Sequence, residues 1–76
     1  MTWEHFAELL QHHLDRKPFR VFVVDLHGEK RYEIDHPHSV AVKDGVAVFI
    51  APGGVPVWFD HESVIQIVDA PSEAAP

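Results

Sequence analysis

The stretch from Phe19 to Ile34 limits the possible folds more than any other. It consists of two extended segments, Phe19-Arg20-Val21-Phe22-Val23-Val24 and Lys30-Arg31-Tyr32-Glu33-Ile34, on either side of a turn at Asp25-Leu26-His27-Gly28. This is the pattern of a β-hairpin, and every later segment reads as another short strand added to it. In the second strand Tyr32 and Ile34 alternate with Arg31, Glu33 and Asp35, so they are expected to point inward. The first strand is apolar on both faces, with Phe19, Val21 and Val23 on one and Phe22 and Val24 on the other. Its second face needs a cover, either the N-terminal helix or a partner chain.

The rest of the chain supplies that helix and the remaining strands. Trp3, Phe6, Ala7, Leu10 and Leu14 recur at spacings of three and four, which predicts an amphipathic helix over 3–15. Thr2 is its N-cap, Glu4 suits the positive end, Arg16 and Lys17 suit the negative end, and Pro18 stops it. Asp35-His36-Pro37-His38 is a corner, because proline cannot donate to a sheet ladder. Ser39–Val42 and Val46–Ala51 are strands joined by the tight turn Lys43-Asp44-Gly45, with Val46, Val48 and Ile50 expected on one side. Pro52-Gly53-Gly54 leads into Val55–Phe59, where Pro56 calls for an edge or bulged position. Asp60-His61-Glu62-Ser63 reads as one helical turn before a last strand, Val64–Val68. Residues 1–69 are expected to form one domain, and 70–76, without apolar periodicity, a disordered tail.

At 76 residues the chain is close to the smallest size at which one apolar core suffices. Such a core supplies roughly 3–5 kcal/mol net. There is no cysteine, which excludes disulfides and thiolate zinc sites and leaves histidine/carboxylate metal binding, oligomerisation or an efficient core. The net charge of −6 repels phosphate backbones and anionic membranes, so nucleic acid is not an expected partner. No leader pattern and no apolar run of spanning length is present, so a cytoplasmic location and no membrane association are expected.

The order helix, then five or six short antiparallel strands, predicts an α+β fold in which the helix packs on a small closed or nearly closed β-barrel. The helix, the strand pair whose turn ends in glycine, and a last strand entered through Phe59-Asp60-His61-Glu62-Ser63-Val64-Ile65 resemble the Sm-like proteins, including bacterial Hfq, and more loosely the SH3-like barrels. The chain is also similar to small bacterial proteins sharing a Pro-Phe-Arg strand start, a His-Pro corner and a Val-x-x-Ile closing strand, here Pro18-Phe19-Arg20, His36-Pro37 and Val64-Ile65-Gln66-Ile67. The resemblance implies a barrel that can pair or form rings through edge strands. It departs from the Sm-like pattern where RNA would be held. His36, Pro37 and His38 replace an aspartate and asparagine, and Phe59-Asp60-His61 replaces aromatic-Lys-His.

Seven histidines offer the main chemical lead. His5, Glu8 and His12 share a helix face and have the donor types for zinc, nickel or copper, but the plainer reading of this permissive spacing is a solvated face of helix-stabilising pairs. A second candidate metal site joins Asp35, His36 and His38 at the corner with Asp60, His61 and Glu62, provided the barrel brings those corners together. The plainer role for these groups is to bond backbone carbonyls and cap turns. The serines lack nucleophile-elbow surroundings and Gly53-Gly54 has no following helix or lysine, so no catalysis and no cofactor are expected.

Phe49 and Trp58 alternate against Val48, Ile50, Val57 and Phe59, which a simple reading takes as core. They then face outward, to be covered by the helix stripe or by another protein. The sequence thus predicts a non-catalytic interaction module that forms homo-oligomers through an edge strand and the outward residues Phe22, Val24, Phe49 and Trp58, with another protein as a possible partner. The alternatives are a histidine/carboxylate metal-binding protein and an Sm-like RNA-binding module.

Overall fold

The structure, a computed structural model, describes residues 1–70. The predicted tail at 70–76 lies outside them except for Ala70. A helix, α1 (Trp3–Asp15), precedes six strands: β1 (Phe22–Leu26), β2 (Lys30–Ile34), β3 (Val40–Lys43), β4 (Val46–Ala51), β5 (Val55–Asp60) and β6 (Val64–Asp69). The Thr2 hydroxyl accepts the His5 N–H at 3.2 Å, as an N-cap should. The helix buries Phe6, Leu10 and His13, with Leu9 and Leu14 packed beside them. Trp3 sits at the margin of this stripe, 45% exposed.

The strands form two antiparallel three-stranded sheets, ordered β2-β1-β6 and β3-β4-β5. Of the expected closed or nearly closed barrel, closure is not found: among the described residues no ladder joins β2 to β3 or β5 to β6. The connections explain the break. The Pro37 corner closes with the Ser39 N–H on the His36 carbonyl at 3.2 Å, and the Asp60–Ser63 segment is a β-turn rather than a helical turn, with the Ser63 N–H on the Asp60 carbonyl at 3.1 Å. Each re-aims the chain from one sheet to the other instead of extending a ladder.

The core lies between the sheets and under the helix. It comprises Phe6 and Leu10 with Phe22, Val24, Leu26, Ile34, Ala47, Phe49, Phe59, Val64 and Ile67. Tyr32 of β2 meets Phe49 of β4 across it, ring centroids 6.0 Å apart, and Phe6 of the helix stands edge-on to Phe59 at 6.2 Å. Val64 and Ile67 both point in although three positions apart. A bulge makes this possible, since Leu26 pairs with Val64 and Asp25 with Gln66, leaving Ile65 unpaired and exposed.

Three residues expected to face outward are part of this core. Phe22 and Val24 are 0% exposed and Phe49 4%. Register dictates the result for β1: Phe22 is opposite Ile34 and Val24 opposite Tyr32, and directly paired residues share a face. The His13 ring, 4.9 Å from that of Phe22, and Phe19 at 6.1 Å close over it. The chain therefore covers Phe22 and Val24 itself. In β4 the expected phase is reversed, with Ala47 and Phe49 inside and Val46, Val48 and Ile50 outside.

Candidate interaction surface

The reversed phase of β4 exposes an apolar sheet face. The two-residue Asp44-Gly45 turn, with φ of 55° and 80°, sets Lys43 directly opposite Val46, which is the geometry Asp-Gly favours. From there the outward residues of β3-β4-β5 fall into rows. Lys43, Val46 and Asp60 form one, Ala41, Val48 and Trp58 the next, and Ile50 with Pro56 the third. Trp58 is 69% exposed, the most of any large apolar side chain among the described residues, and Ile50 48%. Of the expected interface residues, Trp58 is the one that lies on this surface. Ala41, Val46, Val48, Ile50 and Pro56 were not foreseen.

The charged row ends the patch. Asp60 accepts the Ser63 hydroxyl at 2.7 Å and the Ser63 N–H at 3.0 Å, both on Oδ1. The hydroxyl bond, with the backbone bond adding to it, holds its carboxyl below the ordinary aspartate range. Lys43 and Asp60 lie on opposite sides of β4, two strand spacings of about 4.8 Å apart, and no ion pair joins them among the described residues.

The expected metal groups do not assemble. Among the described residues no three His, Asp or Glu side chains are placed to hold one ion. The histidines are engaged separately. His61 Nδ1 donates to the Met1 carbonyl at 3.0 Å, and His13 Nδ1 to the Leu9 carbonyl at 3.0 Å. His36 Nδ1 accepts the His38 N–H at 3.4 Å, with the two rings exposed and 5.8 Å apart. Glu62, Asp35, His5, Glu8 and His12 are exposed. The corner at His36 and the turn at Asp60–Ser63 thus remain separate structural devices.

Neither a protein-family model, nor a curated protein, nor a solved structure matches this chain. What stands of the resemblance to Sm-like and SH3-like barrels is a small α+β fold with, among the described residues, one helix and six antiparallel strands. No helix among the described residues is long and apolar enough to cross a membrane.

Proposed function

We propose that this protein is a non-catalytic assembly module that pairs reversibly with a second copy of itself through the outer face of β3-β4-β5. The observation that carries the reading is Trp58, more than two-thirds exposed beside Val48 and Ile50 on a face that, apart from Lys43 and Asp60 at one end, is apolar. Large aromatics of this kind anchor interface centres. A like copy is a fitting partner because the charged end of the face presents both signs, Lys43 and Asp60. The non-catalytic part of the reading draws on His13, His61 and Asp60, whose polar atoms serve fold contacts.

Size sets the strength. Three strands by five residues give a flat footprint on the order of 250 Å², well below the roughly 800 Å² per partner of a standard stable interface. The core of each copy is already complete, so the subunit folds alone and pairs weakly. Sedimentation equilibrium over a wide concentration range tests this. The average mass should rise from monomer toward dimer in the micromolar range or above, and Trp58→Ser should hold it at monomer. A wild-type chain that remains monomeric at millimolar concentration overturns the reading.

A further inference from the structure

Resting on that pairing, we infer that the two copies are related by a two-fold axis running along β4, so that Lys43 of each copy faces Asp60 of the other and each Trp58 lies over the other copy's Ala41. Sheets that pack face to face do so either roughly aligned or orthogonal. For an aligned pair of identical three-stranded faces, the two-fold axis can run along the strands or across them. The side chains on this face discriminate between the two.

An axis along β4 keeps each row level with itself and exchanges the flanking strands, so β3 of one copy lies over β5 of the other. The row Lys43, Val46, Asp60 then meets its own reverse, and each lysine is set against a carboxylate. The row Ala41, Val48, Trp58 likewise meets its reverse, and the largest side chain on the face covers the smallest. An axis across the strands fails on both counts. It lays the charged row over Ile50 and Pro56, desolvating Lys43 and Asp60 against apolar groups, and it stacks Trp58 on its own copy. No ion pair joins Lys43 to Asp60 within the described residues of one chain, whereas across the axis each faces the opposite charge. Their neighbours, Val46 and Val48, lie on the axis and contact their own copies, as self-complementary packing requires.

Charge reversal tests the orientation separately from the pairing. Lys43→Asp places two pairs of carboxylates across the axis and Asp60→Lys two pairs of ammonium groups, so each variant alone should dimerise about tenfold more weakly than wild type. Mixed one to one, the two variants should form a heterodimer of near wild-type strength, because both cross-axis pairs are again of opposite sign. Asp60→Lys also removes the acceptor for Ser63, so its fold is checked by circular dichroism. If it does not fold, Asp60→Asn, which keeps an oxygen for Ser63, replaces it, and the defect of Lys43→Asp should then shrink in the double variant. Wild-type dimers with no rescue in either format overturn the axis and leave the pairing intact. A monomeric wild type removes both.

Discussion

On the outer face of β2-β1-β6 the central row reads Arg31, Asp25, Gln66, whereas the matching row of β3-β4-β5 reads Ala41, Val48, Trp58. In the first, Asp25 receives Arg31 Nε at 2.7 Å, Nη2 at 3.3 Å and Gln66 Nε2 at 2.8 Å, a polar tie across all three strands. The next row, Glu33, Val23 and Val68, buries Val23 to 4% exposure under its neighbours. The tie joins Asp25, Arg31 and Gln66 to one another, while Ile65 and Val68 of β6 are 53% and 38% exposed. The second face has no such tie and leaves its largest side chain uncovered. Two sheets of equal strand number around one core therefore present different outer faces: one carries a polar tie across all three strands, the other leaves Trp58 69% exposed.

The contrast depends first on which side of β4 is the core side, and the largest expected effect tests this. Phe49→Ala should cost about 3–5 kcal/mol, as buried Phe truncations do, a large part of the stability of a domain this small. Ile50→Ala, one residue away, should change unfolding of the monomer by no more than about 0.5 kcal/mol. Urea unfolding at low protein concentration measures both. If the costs were reversed, Val46, Val48 and Ile50 would be core, the apolar face would vanish, and Trp58 would stand alone.

That phase was legible in the sequence, though not from hydrophobicity. Both parities of Val46-Ala47-Val48-Phe49-Ile50-Ala51 are apolar, and counting bulk places the three β-branched residues inside. The turn decides otherwise. A two-residue Asp-Gly connection forces Lys43 to face Val46, a lysine belongs outside, and the rest of β4 follows by alternation. In the first hairpin the same logic fails at the turn as read: with Asp25 facing Gly28, Phe22 would face Arg31, whereas the strand runs on to Leu26, which faces Lys30 and sets Phe22 opposite Ile34. Helix, strand number and the turn at Asp44-Gly45 were readable because each has a local signal. The bulge at Ile65 was not, since one unpaired residue leaves no periodic trace. Nor were the long-range ties, Arg16 to Asp69 at 2.7 Å across 53 positions and His61 to the Met1 carbonyl across 60. That the expected metal donors are not grouped among the described residues has a related cause: spacing lists donors, and only the route of the chain through the two corners decides whether they meet.

The charged end of the apolar sheet is also where the helix is pinned, which gives a second, smaller effect. Gly45 has φ +80° and is buried, and a Cβ there would stand 2.8 Å from Trp3 Cδ1 and 2.9 Å from His61 Cδ2. Gly45→Ala should cost about 1–3 kcal/mol, combining a left-handed conformation with displacement of both rings. Gly54→Ala has a similar φ of +79° but open space, so it should cost less. Thermal unfolding of the two variants separates crowding from backbone strain. Equal losses would mean that Trp3 and His61 yield freely and do not fix the end of the apolar face.

The polar face should show itself through acid. The Arg31 and Gln66 bonds hold the Asp25 carboxyl below the ordinary aspartate value of 3.8 in the folded chain. A carboxyl depressed by folding contributes stability that is present above its unfolded value and is lost as pH falls through the folded one. Asp25→Asn should therefore be slightly less stable than wild type near neutrality, and the two should converge as the pH drops below the aspartate range. Asp69, held low by Arg16, and Asp60, held low by Ser63, remain in the variant and preserve part of the acid sensitivity. Trp58→Ser titrates nothing on either face, so its difference from wild type should not change with pH in this manner. Unfolding midpoints measured from neutral to strongly acidic pH give the comparison. A gap between Asp25→Asn and wild type that stays constant into acid would mean that the tie across β2-β1-β6 acts by shape rather than by charge, and that the two outer faces differ less than their residues imply.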